Sequence, residues 1–185
     1  MSEQSVHVVR IGYRLGRDPR ITTHLGLVAR AWGATHFHVF GDEDNKLFSS
    51  IEQVNQRFGG VMECHHQKGL NRWLKNFQAN ENKGVVVHLT MYGEDYKDVI
   101  PNIDQNSPLA VVVGGAKVPG EVFKISNLNV SIGTQPHSEV AALALFLEEL
   151  NSARNFSPSF ENSKMIIEPS ADGKIVHMAD DFEEE

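Results

Sequence analysis

Leu109-Ala110-Val111-Val112-Val113-Gly114-Gly115-Ala116-Lys117-Val118-Pro119 joins a run of five apolar residues to a glycine-rich turn. A near-continuous β-branched run of this kind reads as a strand buried on both faces, as in the middle of a parallel sheet. Val85-Val86-Val87-His88-Leu89 has the same character. Toward the N-terminus, Val6 to Ile11, Phe37 to Phe40 and Val61 to His65 read as three further strands. Between them, Leu25, Val28, Ala29 and Trp32 follow the i, i+3, i+4, i+7 spacing of a helix, with Thr22 or Thr23 as its N-cap. Leu47, Ile51, Val54 and Phe58 stripe a second helix, capped by Asp44 or Asn45 and ended by Gly59-Gly60. Leu70, Trp73, Leu74 and Phe77 stripe a third.

Toward the C-terminus come short helices near Glu94 to Val99 and Glu121 to Ile125, a strand at Asn129 to Ile132, and a helix from Ser138 to Asn151. The last is rich in Ala and Leu, hence strongly helix-forming. This alternation calls for an α/β fold with a mostly parallel sheet flanked by helices. The end differs. Lys164 to Glu168 and Lys174 to Met178 flank Pro169-Ser170-Ala171-Asp172-Gly173, two strand-like runs around an Asp-Gly turn, which reads as a β-hairpin. Asn151 to Asn162 is the linker into it. The expected organisation is one domain over residues 1–155, with a hairpin extension and acidic tail over 156–185.

Five acids among Asp180 to Glu185 account for most of the formal charge of −7, so the acidity is concentrated in a terminus. Arg10, Arg14, Arg17, Arg20 and Arg30 meanwhile crowd the first thirty residues against only Glu3 and Asp18, an electrostatic footprint suited to phosphate. No apolar stretch approaches the about 20 residues a membrane span needs. Met1-Ser2-Glu3-Gln4 carries no signal sequence, and a lone Cys64 suits a reducing cytosol, so a cytoplasmic protein without a membrane partner is expected.

Three turns follow apolar runs in the second half: His88-Leu89-Thr90-Met91-Tyr92-Gly93, Gly114-Gly115-Ala116-Lys117-Val118-Pro119, and Ile132-Gly133-Thr134-Gln135-Pro136-His137-Ser138-Glu139. Turns at the carboxyl ends of parallel strands are where open α/β proteins bind ligands. Free amides at the start of the last helix add hydrogen-bond donors. Periodicity alone gives each turn equally well as a tight structural connection. No G-x-G-x-x-G follows the first strand, and there is no P-loop or G-x-S-x-G elbow. His36 and His38 share a strand face, and Cys64-His65-His66 has metal-ligand residue types. Neither provides a ligand set with the closed geometry of a zinc site, so no metal is expected. The other candidate is Arg14-Leu15-Gly16-Arg17-Asp18-Pro19-Arg20-Ile21-Thr22-Thr23-His24, where planar, permanently charged guanidinium groups suit phosphate recognition.

With these segments in place, the sequence resembles the archaeal tRNA cytidine 2′-O-methyltransferases that act on the T-loop, a branch of the SPOUT superfamily. The likeness lies in Arg10-Ile11-Gly12-Tyr13-Arg14, Arg17-Asp18-x-Arg20-Ile21-Thr22-Thr23-His24, Ala29-Arg30-Ala31-Trp32-Gly33-Ala34 and the three late loops. Its most specific part is Ile132 to Leu143, and it runs from about residue 6 to residue 178. The resemblance implies a SPOUT-type domain with a deep C-terminal trefoil knot, a homodimer, S-adenosylmethionine as cofactor and tRNA as substrate, methylated at cytidine 56. It implies that Leu89, Gly114, Gly115, Ala116, Lys117, Val118 and the whole of Ile132, Gly133, Thr134, Gln135, Pro136, His137, Ser138 and Glu139 hold the cofactor. Arg20 is then the residue nearest the reacting hydroxyl, with Arg14, Arg17, Thr23 and His24 on the RNA. The competing readings are a SPOUT enzyme of different nucleotide specificity, a non-catalytic RNA-binding protein of the same fold, and an unrelated α/β nucleotide-binding enzyme.

Overall fold

The computed structural model describes residues 4–81, 83–115 and 117–179. Ala116 and the acidic tail from Asp180 to Glu185 lie outside the described residues. The chain runs β1 (Val6–Tyr13), α1 (Pro19–Ala31), β2 (His36–Gly41), α2 (Asn45–Phe58), β3 (Glu63–Gln67), α3 (Leu70–Ala79) and β4 (Val85–Asp95). It continues through α4 (Tyr96–Val99), a 3-10 turn (Ile100–Asn102), β5 (Leu109–Gly114), α5 (Gly120–Ile125), β6 (Leu128–Ser131) and α6 (Glu139–Ala153). The hairpin strands are β7 (Met165–Glu168) and β8 (Ile175–Met178).

Six strands form one sheet in the order β3-β2-β1-β5-β4-β6, every neighbouring pair parallel. The two most apolar runs, β5 and the first half of β4, are therefore interior, as expected. Alternation along β1 sends Val8 to one face and Val9 to the other, and both are fully buried. Helices α1, α2 and α6 cover the face of Val8, Phe37 and Val111. Helices α3 and α5 cover the face of Val9, Phe40 and Val112.

Four local expectations are corrected. The N-cap of α1 is Asp18, with Pro19 in the first turn, whereas Thr22 is buried inside the helix and the Thr23 hydroxyl donates back to the Pro19 carbonyl at 2.9 Å. Proline at the first helical position sacrifices no hydrogen bond, so it starts the helix earlier than the threonines could. The third strand begins at Glu63 rather than Val61. Glu94 and Asp95 belong to β4, not to a helix, and only Tyr96–Val99 is helical. The segment after Leu89 is a bulge within β4 instead of a simple turn: Leu89 and Glu94 both align with Val130 of β6, so residues 90–93 are looped out. Asp44 does cap α2, accepting from the Lys46 and Leu47 amides.

The hairpin β7-β8 is antiparallel, as expected, and separate from the main sheet. The chain leading into it is strapped across the ends of α1 and α2. Gly60 N–H donates to the Glu161 carbonyl at 3.2 Å, Lys164 N–H to the Arg57 carbonyl at 3.0 Å, and Phe160 lies 4.8 Å from the Arg30 guanidinium. Arg30 itself is buried, donating to Asn55 Oδ1 at 2.9 Å and to the Gly59 carbonyl.

Candidate cofactor cavity and RNA-facing turn

The carboxyl ends of β4, β5 and β6 enclose a cavity of about 510 Å³. Its lining draws on all three late segments: His88 to Tyr92, Val113 to Gly115 with Val118, and Ile132 with Gln135 to Glu139, closed by Ala142 of α6. Of the expected residues, Leu89, Gly114, Gly115, Val118, Ile132, Gln135, Pro136, His137, Ser138 and Glu139 line it. Lys117, Gly133 and Thr134 are exposed residues of the same loops and do not line it, and Ala116 lies outside the described residues.

Local chemistry shapes each loop. A Cβ on Gly114 would come within 2.5 Å of Val118 Cγ2 and 3.0 Å of Ile11 Cγ1, so the missing side chain lets the loop fold back onto β1. At Gly115 the nearest atoms would be Glu139 Oε1 at 3.9 Å and Arg10 Nη1 at 4.0 Å, leaving the main chain open to a ligand. Gly133 has φ +84°, which turns the third loop sharply after β6. The His137 ring spans that loop, with Nε2 2.9 Å from the Ile132 carbonyl and Nδ1 3.1 Å from that of Ser138. The Ser138 hydroxyl accepts from the Val140 amide and so caps α6. On β4, His88 Nδ1 donates to Asn129 Oδ1 at 2.9 Å, since the Asn129 amide nitrogen is committed to the Phe123 carbonyl. Burial pushes the His88 ring below the ordinary histidine range.

One charged pair stands beside the cavity. Arg10 is 2% exposed in the middle of β1, and its Nη1 lies 3.3 Å from Glu139 Oε1. Burial pushes the guanidinium below its usual range, while Glu139 and then Asp18 hold it up and Arg14 opposes them. The β1–β5 register sets Ile11 against Gly114, which brings Arg10 to the level of the second loop. Arg10 was not among the expected cofactor residues. Its signal in the sequence is a charge inside an otherwise apolar strand, a position that calls for a partner.

The arginine turn leaves β1 at this end of the sheet. Arg14 Nε is 3.5 Å and Arg17 Nε 3.9 Å from the Asp18 carboxylate, which also accepts from the Arg14 amide. Arg14, Arg17, Arg20 and His24 are exposed, while Thr23 is half-buried. The turn follows the end of β1, which pairs in parallel with β5, the strand that leads into the second loop. The expected phosphate-facing surface and the expected cofactor loops thus lie at one end of the sheet.

The model of the tRNA ribose 2′-O-methyltransferase (aTrm56) family matches residues 58–177, more than half of the sequence. The chain belongs to this family. A tRNA (cytidine(56)-2′-O)-methyltransferase of Methanobrevibacter smithii is 41% identical over 182 residues, covering 96% of this chain and 98% of that protein. The namesake protein of Hyperthermus butylicus is 46% identical, covering 94% of this chain and 92% of its own. Among solved structures, the SpoU methyltransferase AviRb of Streptomyces viridochromogenes, crystallised with AdoMet, aligns with a TM-score of 0.64 at 16% identity. That alignment covers 84% of this chain and 60% of that one. The A. aeolicus TrmH/SpoU tRNA-modifying enzyme aligns with a TM-score of 0.61 at 15% identity, over 83% and 78% of the two chains. These likenesses show that the parallel six-stranded sheet and its flanking helices are shared with SpoU and TrmH methyltransferases.

Proposed function

We propose that this chain transfers the methyl group of S-adenosylmethionine to the ribose 2′-hydroxyl of cytidine 56 in tRNA. The observation that carries the reading is the convergence of three loop segments on one cavity beside an arginine-rich turn, in a chain that belongs to the aTrm56 family. The cavity lies within the about 300–1,000 Å³ usual for small-ligand sites. Apolar walls from Leu89, Val118 and Ile132 suit a nucleoside base, and the uncovered main chain at Gly115 suits hydrogen bonding to it. When bound, S-adenosylmethionine supplies an electrophilic methyl group on a sulfonium.

The holding residues in this reading are Leu89, Gly114, Gly115, Val118, Ile132 and Gln135 to Glu139, which line the cavity, with Ala116, Lys117, Gly133 and Thr134 completing the sequence of their loops and the Glu139 carboxylate shared with Arg10. Arg20 orients the attacking hydroxyl or the phosphate next to it. A guanidinium, with a pKa above about 12, positions rather than abstracts a proton. Arg14, Arg17, Thr23 and His24 contact the RNA. As the methyl group moves, the hydroxyl gives up its proton, which passes to water at the exposed turn carrying Arg20, and the sulfonium becomes a neutral sulfide.

The same reading includes the deep trefoil knot at the late loops, a domain over 1–155 with a 156–185 extension, a homodimer and a cytoplasmic location. Exposed Leu145 on α6 and exposed Ile166 and Ile167 on the hairpin support pairing with a second copy. Among the described residues no helix is long and apolar enough to cross a membrane.

The test is incubation of the pure protein with labelled S-adenosylmethionine and an unmodified tRNA transcript, followed by mass-spectrometric mapping. Label on the ribose of cytidine 56 is expected. Label on another nucleotide, or none despite cofactor binding, overturns the reading.

A further inference from the structure

Outside the cavity, the face of the sheet that carries α3 holds a layer of imidazoles. His7, His36, His38 and His65 come from β1, β2 and β3 and stack with ring centroids 4.1–5.9 Å apart. The β2–β3 register sets His36 beside Glu63 and His38 beside His65. Because side chains alternate along a strand, Glu63 and His65 share the face of His36. Donor atoms of His36, Glu63 and His65 all lie within 4.8 Å of one another.

Two details go beyond proximity. His65 Nε2 and Glu63 Oε2 are 3.3 Å apart. Ligands about 2.0 Å from one tetrahedral zinc ion are spaced by about that edge length. The Thr35 hydroxyl lies 3.0 Å from the Val6 carbonyl, 3.0 Å from Ser5 Oγ and 2.8 Å from His36 Nδ1, and when its own proton goes to Val6 it accepts from Nδ1. In that arrangement Nδ1 carries the proton and Nε2 keeps its lone pair, the way metal-binding histidines are oriented. The rings are held in place beforehand by the stack.

We propose that His36, Glu63 and His65 form a binding site for one divalent transition-metal ion of the zinc class. Two imidazoles and a carboxylate are a zinc-type donor set, with water completing the tetrahedron. His36 and Glu63 open their strands, whereas the cofactor loops follow the ends of β4, β5 and β6. The site therefore sits in the other half of the sheet and clamps the edge strand β3 to β2. It does not depend on the methyl-transfer reading.

The test uses the full-length protein without a tag, stripped with a chelator and titrated with zinc by calorimetry and with cobalt by visible absorption. One equivalent of zinc and the intense d–d bands of tetrahedral cobalt are expected. Glu63→Gln, at an exposed position that leaves the core intact, and His65→Ala should each weaken binding by more than about tenfold, the usual loss when an outer-shell partner is removed. Thr35→Val should weaken it by about tenfold through His36 alone. Absence of saturable binding, or binding that survives Glu63→Gln and His65→Ala because it resides on other histidines, overturns the proposal.

Discussion

Arg10 and Glu139 meet at 3.3 Å where β1 passes beneath the first turn of α6, the cation fully enclosed and the carboxylate about one-fifth exposed. The pair is asymmetric. Removing Glu139 strands a charge that water cannot reach, whereas removing Arg10 leaves a carboxylate that water can solvate. Glu139→Ala should therefore destabilise by about 3 kcal/mol, and Arg10→Met by clearly less. The double variant should recover part of the Glu139→Ala loss, a coupling read from urea unfolding. Equal losses from the two single variants would refute the asymmetry.

Glycines near the cavity separate folding from ligand affinity. Gly115→Ala places its methyl in ordinary contact with Glu139 and Arg10, without a clash, so the melting temperature should stay within a few degrees of the parent while affinity for S-adenosylhomocysteine falls at least about tenfold. Gly93→Ala would set a Cβ 2.4 Å from the Val130 amide nitrogen, forcing β4 and β6 apart. It should lower stability by about 2 kcal/mol or more. Calorimetry and thermal melts on both variants distinguish the two behaviours.

The Tyr13 hydroxyl donates to Asp44 Oδ2 at 2.5 Å, and each group shifts the other. That hydrogen bond first, and the Leu47 and Lys46 amides after it, hold the Asp44 carboxyl below its usual value despite burial. Burial first, then the bond to Asp44, pushes the Tyr13 hydroxyl up. A carboxyl lowered in the folded state contributes stability that is present above about pH 3.9 and is lost as pH falls through the folded value. A phenol raised in the folded state contributes stability that is present below about pH 10 and is lost as pH rises. Tyr13→Phe should thus flatten the stability profile at both extremes. Denaturant midpoints across the pH range would show it, and an unchanged acid limb would count against the coupling.

The exposed arginines should divide their labour. Arg14→Ala and Arg17→Ala should each reduce the salt dependence of tRNA affinity by about one unit of slope. Asp18→Asn, which removes the carboxylate facing both, should strengthen RNA binding. Arg20→Ala should lower single-turnover transfer by at least about a hundredfold while cofactor affinity stays within twofold, as expected for a group acting only on the reacting hydroxyl. Filter binding over a salt series, together with rapid quench, checks all four, and near-normal turnover of Arg20→Ala would remove its assigned role.

Much of the fold was legible because β4 and β5 are apolar on both sides and helical periodicity separates the strands. The order of strands was not, since each parallel pairing is fixed by packing across crossovers. The three segments that line the cavity were visible as glycine-bearing turns, whereas Arg10 was read only as part of the phosphate footprint and a family motif, because its pairing with Glu139 joins positions far apart in sequence. Glu63 was missed beside His36 and His65 for a related reason: a register between two strands, rather than spacing along one, makes them neighbours. The first helix started earlier than its threonines suggested because Pro19 supplies a helical φ directly.

The bulge in β4 has a kinetic consequence. Residues 90–93 are stapled at both ends to the same residue of β6, Val130, so this wall behaves as a fixed handle instead of a hinged flap. Swinging this wall's main chain away would first require unzipping a parallel ladder, so its own part in ligand exchange is left to side-chain movement at the rim, where Tyr92 is 78% exposed.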